Sequence, residues 1–349
     1  MKKTKSKNSV VHAALLLAAA CVLSAAISGC QKKTTDSAGS KGSAGSGEVL
    51  VGISKIVAHE ALDAVEKGVI DRVTESGKAV RFDLQNAAGD MNAAAQIAAQ
   101  FKSEKAAVTV GIATPTALAL ANNITNIPVV FSAVTDPVGA KLVDNLQGGK
   151  GNITGVSDAI DEPRHIKMFK EIAKIKTLGY IYTSSEDNSV SSLVHVKEAC
   201  AAEGLALVEQ AITNSSELRQ AAETIISRVD GIYITTDNTI FAALPALTEV
   251  CNKNKKPLFS ADFTACKGGG AFIAFGFDYY KIGLATGDIV VQILNGKKPA
   301  DIPTKFLTER SDIDFLIDLD QAANCGIEVP SEYLAQANYL FQNGKLTQK

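Results

Sequence analysis

AVTVGIATPT, residues 107–116, and GIYITTDN, residues 231–238, follow one pattern in two separate parts of the chain. Each begins with a short apolar, β-branched run typical of a buried strand. Each ends in hydroxyl, amide or carboxylate side chains where the following helix would begin. Units of this kind build parallel sheets, and the carboxyl ends of such strands are where ligands bind. The pattern therefore predicts α/β lobes whose polar residues gather at one edge of each sheet.

The alternation of strands and helices starts twice. The first series has strands at 49–53, 80–84, 107–110 and 128–131, with helices at 61–75 and 91–102. The second begins with a helix at 164–173 and has strands at 178–182, 205–210, 231–235 and 257–260, with helices at 190–203, 216–227 and 240–253. A helix at 279–295 and a strand at 312–318 follow. Because 349 residues exceed one ordinary core, we predict two Rossmann-like lobes with mostly parallel sheets and a cleft between them.

The composition and the missing motifs exclude several functions. The formal net charge is −2, so there is no basic excess to neutralise the phosphates of a nucleic acid. The Gly-rich run 268–270 lacks a Walker pattern, no GxGxxG follows a strand, and no GxSxG elbow occurs. His59, His165 and His195 have no metal-ligand spacing with Cys or carboxylates. We expect no cofactor, no metal and no catalytic residue.

The N-terminal region predicts export. Lysines among the first seven residues precede an uncharged apolar run at about 10–27, as in a signal peptide. Ile27-Ser28-Gly29-Cys30 resembles a lipobox, so we predict a signal peptide at 1–29, a lipid on Cys30 and a flexible tether at 30–47. The protein would be anchored to a membrane and face the periplasm or the exterior. The body contains Cys200, Cys251, Cys266 and Cys325, and the sequence leaves their pairing open.

Polar side chains follow nearly every predicted strand. In the first series they are Ser54, Lys55, His59, Thr114, Thr116, Thr135 and Asp136, and in the second they are Ser185, Asn188, Ser189, Asp237, Asn238 and Asp262. Any one of them alone is consistent with a helix cap or a turn. Thr114 followed by Pro115 predicts a helix start with free amides that suit a carboxylate. Asp237 in the other series suits an ammonium group, so together the two lobes would hold a zwitterion.

Five segments carry a resemblance to a known family. They are Ile53 to Asp63, Ala113 to Ala117, Val134 to Ala140, Asn152 to Asp158 and Gly276 to Tyr280. With these segments the body resembles the ABC-transporter substrate-binding lipoproteins of the tryptophan/tyrosine-binding type, which have the type I periplasmic-binding fold. Two positions depart from that family, since Lys55 stands where Gln is frequent and Glu60 where Pro is frequent.

The resemblance implies a discontinuous first lobe and a hinge of three segments. The chain would change lobe near Ser157, Phe277 and Pro303, which gives lobe 1 as 48–157 plus 278–303 and lobe 2 as 158–277 plus 304–349. It also implies closure of the lobes on a ligand and an ABC permease as partner.

The leading hypothesis is a receptor for an amino acid, and we expect an aromatic one. Thr114, Thr116 and Thr135 would hold its carboxylate and Asp237 its ammonium group. The same fold could instead bind a sugar, a nucleoside or another polar solute, which Lys55 would allow. A third hypothesis is a surface adhesin with a vestigial cleft. A hydrolase would need a nucleophile and a base that the sequence does not offer.

Overall fold

A computed structural model describes residues 47–349 of the chain. The predicted signal peptide, the lipidation site Cys30 and the tether up to residue 46 lie outside these residues. The strands, labelled in chain order, are β1 (Val49–Lys55), β2 (Val80–Asn86), β3 (Val108–Ile112), β4 (Val129–Ser132), β5 (Ile153–Ser157), β6 (Thr177–Thr183), β7 (Ala206–Ile212), β8 (Gly231–Ile234), β9 (Leu258–Ser260), β10 (Ile273–Phe277), β11 (Lys305–Phe306), β12 (Ile313–Asp318), β13 (Tyr339–Gln342) and β14 (Lys345–Gln348). The α-helices are α1 (Glu60–Glu75), α2 (Met91–Ser103), α3 (Thr114–Asn123), α4 (Glu162–Ala173), α5 (Asp187–Glu203), α6 (Leu218–Ile225), α7 (Asn238–Phe241), α8 (Leu244–Lys253), α9 (Tyr279–Leu294), α10 (Leu319–Cys325) and α11 (Ser331–Gln336).

The strands form two sheets, one in each lobe. The first sheet has the order β11-β5-β4-β3-β1-β2, and all its strands are parallel. The second has the order β14-β13-β12-β10-β9-β8-β6-β7. In this sheet β12 runs antiparallel to β10, and β14 antiparallel to β13. The predicted α/β architecture with two mostly parallel sheets is confirmed.

Several element boundaries differ from the sequence prediction. The predicted helix at 240–253 is two helices, α7 and α8, because Pro245 in the first turn of α8 has no N–H to continue the preceding helix. The strand β1 continues to Lys55, so Ser54 and Lys55 belong to the strand and not to the loop after it. The two-residue strand β11 pairs with β5 and is too short for a periodicity signal. Because β11 belongs to the first sheet, the chain leaves this sheet for the last time after Phe306.

The helices α1 and α9 pack closely on one face of the first sheet because both have glycine at the contact. A Cβ atom on Gly68 would lie 2.4 Å from the carbonyl oxygen of Tyr280, and one on Gly283 would lie 2.3 Å from that of Val65. The backbones could not approach this closely with larger residues. This contact joins the late segment α9 to the first lobe, and α9 begins at the cleft with Tyr279.

Each central strand is buried on both faces, as parallel strands between helix layers are. In β8, Tyr233 packs into one apolar cluster, whereas its neighbours Ile232 and Ile234 pack into another on the opposite face. Polar side chains inside these strands therefore need a hydrogen-bond partner, as Thr109 and Thr154 have in backbone carbonyl oxygens. Most of the other buried polar side chains lie at the carboxyl ends, where the two sheets face each other.

Candidate functional site

A cavity lies between the carboxyl ends of the two sheets. Its lining residues come from both lobes and from the segments that connect them: His59, Leu62, Ala133, Thr135, Asp158, Asn188, Thr236, Asn238, Phe241, Asp262 and Tyr279. Its free volume is about 10 Å³, which is room for about one water molecule. A larger solute can therefore enter only when the lobes part or the lining side chains move.

Asp158 stands at the centre of the polar wall of this cavity. It follows β5 directly, where the chain leaves the first sheet. One carboxylate oxygen accepts from the Thr135 hydroxyl at 3.1 Å, and the other accepts from the Tyr279 hydroxyl at 3.0 Å. Burial raises the pKa of Asp158 to about 6, although both hydrogen bonds act in the opposite direction.

Asp262 is the second carboxylate of the cavity, and it lies just beyond β9. Its Oδ1 accepts from the backbone N–H of Ala265 at 3.1 Å, which makes it a turn residue. Its Oδ2 is buried and has no hydrogen-bond partner. Burial raises the pKa of Asp262 to about 7, and the negative charge of Asp158 raises it further. An ionised carboxylate in this position needs a positively charged partner.

An aromatic group borders the two carboxylates. The ring of His59 lies 5.8 Å from that of Phe241, centroid to centroid, and Tyr279 is buried beside them in the cavity wall. Both ring nitrogens of His59 lack a hydrogen bond of ordinary geometry, although Asn238 lies near enough to favour the protonated ring. Burial nevertheless lowers the pKa of His59 to about 4, so the imidazole is neutral at physiological pH.

The N-terminus of α3 reaches the same edge of the first sheet. Thr114 is 1% exposed, and its hydroxyl has no partner. The hydroxyl of Ser54, on the adjacent strand β1, is also buried and unpaired. Ala113 before the helix has φ 74° and ψ 156°, a conformation that non-glycine residues rarely adopt. Strain of this kind concentrates at functional sites.

Asp237 does not line the cavity, contrary to its expected position. It caps α7 by accepting from the backbone N–H of Ile240. It also accepts from the backbone N–H and the hydroxyl of Thr183, and from the hydroxyl of Ser189. Both oxygens are therefore occupied within lobe 2, and Ser189 serves this network too. Its neighbour in the chain, Thr236, faces the cavity instead.

Two further candidates of the first lobe make other contacts. The hydroxyl of Thr116, in the first turn of α3, donates to the carbonyl oxygen of Ile112 at the end of β3. Lys55 forms ion pairs with Asp63 at 2.6 Å and Glu66 at 3.0 Å on α1. Burial lowers the pKa of Lys55, but these two partners outweigh it, and the pKa is raised overall. Lys55 thus joins β1 to α1 and does not line the cavity.

The remaining candidates divide between the cavity and its surroundings. Asn188 and Asn238 line the cavity, and the amide groups of both donate to the carboxylate of Glu186. Ser185 lies in a neighbouring groove of the cleft. Asp136 lies outside the cavity, where it accepts a hydrogen bond from Ser191 of the other lobe.

Sequence reasoning missed part of the lining. The lining residues that were not among the candidates are Leu62, Ala133, Asp158, Thr236, Phe241 and Tyr279. Asp158 follows a strand that the periodicity analysis did not predict, which explains that omission. Thr236 and Asp237 are neighbours in the chain, and the sequence does not show which of their two side chains is directed at the cavity.

Two further observations concern residues 47–349. No group of three or more His, Cys, Asp or Glu side chains in this part of the chain is placed to hold a metal ion. None of its helices has both the length and the apolar character needed to cross a membrane.

Two α/β lobes, three connecting segments and a polar cavity between opposing strand ends define a solute-receptor class with the type I periplasmic-binding fold. The chain belongs to the ABC transporter substrate binding protein family, whose model matches residues 50–340. The predicted family is confirmed.

Similar proteins include a tyrosine-binding protein of Clostridioides difficile (strain R20291), 35% identical over 264 residues, which are 74% of this chain and 76% of that protein. A Streptococcus pneumoniae ABC domain solved in complex with L-Trp is 32% identical, with a TM-score of 0.80 over 84% of this chain and 100% of that one. A ligand-free, open substrate-binding protein with adhesive properties from Clostridium difficile is 33% identical, with a TM-score of 0.61 over 81% of this chain and 96% of that one. At nearly equal identity, the whole structure is more similar to that of the L-Trp complex than to the ligand-free, open structure.

Proposed function

We propose that this protein captures an L-amino acid with an aromatic side chain in the cavity between its lobes and delivers it to an ABC permease. The observation that carries the proposal is the pair of buried carboxylates, Asp158 and Asp262, which face one cavity beside a neutral imidazole. The tyrosine-binding relative and the relative solved with L-Trp support the same ligand class.

The ammonium group would pair with Asp262 and Asp158. The Oδ2 atom of Asp262 is a buried acceptor without a partner. Hydrogen bonds from Thr135 and Tyr279 hold the carboxylate of Asp158 in the wall of the same cavity. An ammonium group would supply the positively charged partner that neither carboxylate has in the folded protein. This assignment replaces Asp237, whose four hydrogen bonds already occupy both of its oxygens.

The carboxylate of the ligand would bind at the N-terminus of α3. The hydroxyl of Thr114 is a buried donor without a partner at this end of the helix, and the backbone N–H groups of the first turn after Pro115 are further donors. The positive end of the helix dipole favours an anion there. Ser54 on the adjacent strand is a further free donor.

The side chain of the ligand would pack on the rings of His59, Phe241 and Tyr279. Aromatic pairs prefer ring centroids about 4.5–7 Å apart, a spacing that His59 and Phe241 already show. A neutral sugar would leave Asp158 and Asp262 without a compensating charge, so the cavity favours a cationic or zwitterionic ligand over the sugar alternative.

In this proposal the protein is anchored to the membrane by a lipid and has no catalytic activity. The proposal of a signal peptide and a lipid on Cys30 is supported by the Lys-rich start, the apolar run and the Ile27 to Cys30 motif. Replacing Cys30 with Ser should release the protein from the membrane fraction and abolish incorporation of labelled palmitate. Unchanged membrane attachment and labelling would contradict the anchor.

The ligand is tested by calorimetry with a matched series. L-tyrosine and L-tryptophan should bind, whereas N-acetyl-tyrosine, which lacks the ammonium charge, and tyrosinamide, which lacks the carboxylate, should bind at least tenfold more weakly. Sugars and nucleosides serve as the competing class. Tight binding of a sugar, or equal affinity for L-tyrosine and N-acetyl-tyrosine, would overturn the proposal.

A further inference from the structure

Within residues 47–349, two hydrogen bonds between side chains join one lobe to the other without involving the segments that connect the lobes. One lies inside the cavity, where the hydroxyls of Thr135 and Thr236 are 2.8 Å apart. The other lies outside it, where the Ser191 hydroxyl donates to Oδ2 of Asp136 at 2.9 Å. Neither Asp136 nor Ser191 lines the cavity. The second bond can therefore act on closure without touching a ligand.

The acceptor is held in position by its own loop. Asp136 follows β4, and its Oδ1 accepts from the backbone N–H of Gly139 at 2.8 Å. A Cβ atom on Gly139 would lie 2.1 Å from the Oδ2 atom of Asp136, so only glycine leaves room for this carboxylate. The turn orients Asp136 within the first lobe, before any contact with the second lobe forms. Little conformational entropy is then lost when the lobes meet.

The donor lies on the face of α5 that is directed at the same loop. Asp187, one turn before Ser191, shares a surface groove with residues 139–141 of the first lobe. Positions 187 and 191 lie on one side of a helix. The N-terminal turns of α5 and the loop after β4 therefore meet along a short stretch outside the cavity.

We propose that Asp136 and Ser191 form a closure latch that sets the affinity for every ligand by the same factor. The bond exists only when the lobes are closed, so its loss raises the ratio of open to closed protein and leaves the contacts with the ligand unchanged. One hydrogen bond of this type corresponds to a change of roughly 2- to 12-fold in that ratio. The change should appear mainly as faster dissociation. This proposal rests on the proposed receptor function but not on the identity of the ligand.

The test compares Ser191→Ala with two controls on α5. Ser191→Thr keeps the hydroxyl, and Val194→Ala changes an exposed residue one turn further along the helix. In Ser191→Ala the dissociation constants for L-tyrosine and L-tryptophan should rise by one common factor, roughly 2- to 12-fold, while both controls stay within about twofold of wild type. Gly139→Ala should reproduce the loss, and the double variant should lose no more than the larger single effect.

Two results of the binding experiment would overturn the latch. Unchanged affinities in Ser191→Ala would show that the bond does not stabilise closure. A different factor for the two ligands would place Ser191 in the ligand site. If the wild type binds neither amino acid, the proposed function fails on its own, and small-angle scattering then decides on the latch. The radius of gyration of ligand-free Ser191→Ala must exceed that of the wild type, and identical curves reject the latch.

Discussion

Replacing Asp262 with asparagine should lower ligand affinity and raise the stability of the ligand-free protein. Asparagine keeps the shape of the side chain and an acceptor for the Ala265 N–H, but it carries no charge. Removing one partner of a buried charge pair costs about 2–5 kcal/mol. The dissociation constant should therefore rise by roughly 30-fold or more.

The gain in stability follows from the sign of the pKa shift. Burial raises the pKa of Asp262 from 3.8 to about 7, so the folded state holds its proton more tightly than the unfolded state. The free energy of unfolding therefore falls as the pH rises between these two values, and the loss is complete above them. At about pH 8 the penalty that asparagine removes is at most about 4 kcal/mol.

Asp237→Asn is the matched control, with the opposite pattern. Burial raises the pKa of Asp237 to about 7, as it does for Asp262. The difference is that four donors point at the Asp237 carboxylate, so the NH2 group of an asparagine would face donors and should lower the free energy of unfolding by about 1–3 kcal/mol. Ligand affinity of the folded variant should stay within about threefold of wild type. Calorimetry and urea unfolding at about pH 8 give both quantities. Normal binding in Asp262→Asn together with lost binding in folded Asp237→Asn would refute the reasoning and return the ammonium site to Asp237.

Three other predictions concern the same cleft. Thr114→Val should leave the free energy of unfolding within about 0.5 kcal/mol, because the hydroxyl has no partner, but weaken binding about fivefold in calorimetry; unchanged affinity would remove Thr114 from the site. Ala113→Gly should relieve the strained φ of 74° and raise the free energy of unfolding in urea by about 1 kcal/mol, and a loss of stability would contradict that strain. The pKa values of Asp158 and Asp262 are raised by burial to about 6 and about 7, so affinity should fall below about pH 7, and binding near pH 6.5 should release protons. Calorimetry in buffers of different ionisation enthalpy measures this release, and a binding enthalpy independent of the buffer would exclude it.

The order of strands and helices in both lobes was predictable because it depends on local periodicity. Runs such as 107–110 and 231–235 are buried on both faces and read as strands from their composition alone. Shorter elements were not predictable. The strand β11 has two residues, and it is held only by its pairing with β5 across a large distance in the chain.

The ligand site was predictable as a region but not residue by residue. Of the candidates, His59, Thr135, Asn188, Asn238 and Asp262 line the cavity. Lys55 was expected there as well, yet its partners Asp63 and Glu66 lie on the next helix of the same lobe. A lysine after a strand looks the same in sequence whether it binds a ligand or an internal carboxylate. The ligand contacts themselves stay predictions until the variants above are measured.

Three features of this chain are local in sequence: the periodicity, the polar ends of the strands and the lipobox-like N-terminal motif. The order of residues was therefore enough to predict the α/β architecture, the two lobes, the placement of the cleft and export. The choice between neighbours such as Thr236 and Asp237 depends on which side chain the packed lobe turns towards the other lobe. The joining of Asp158, Asp262 and Tyr279 depends on three segments that are far apart in the chain. These distances are set by the packing of α9 on α1 and by the closure of one sheet on the other, and no local pattern encodes either of them.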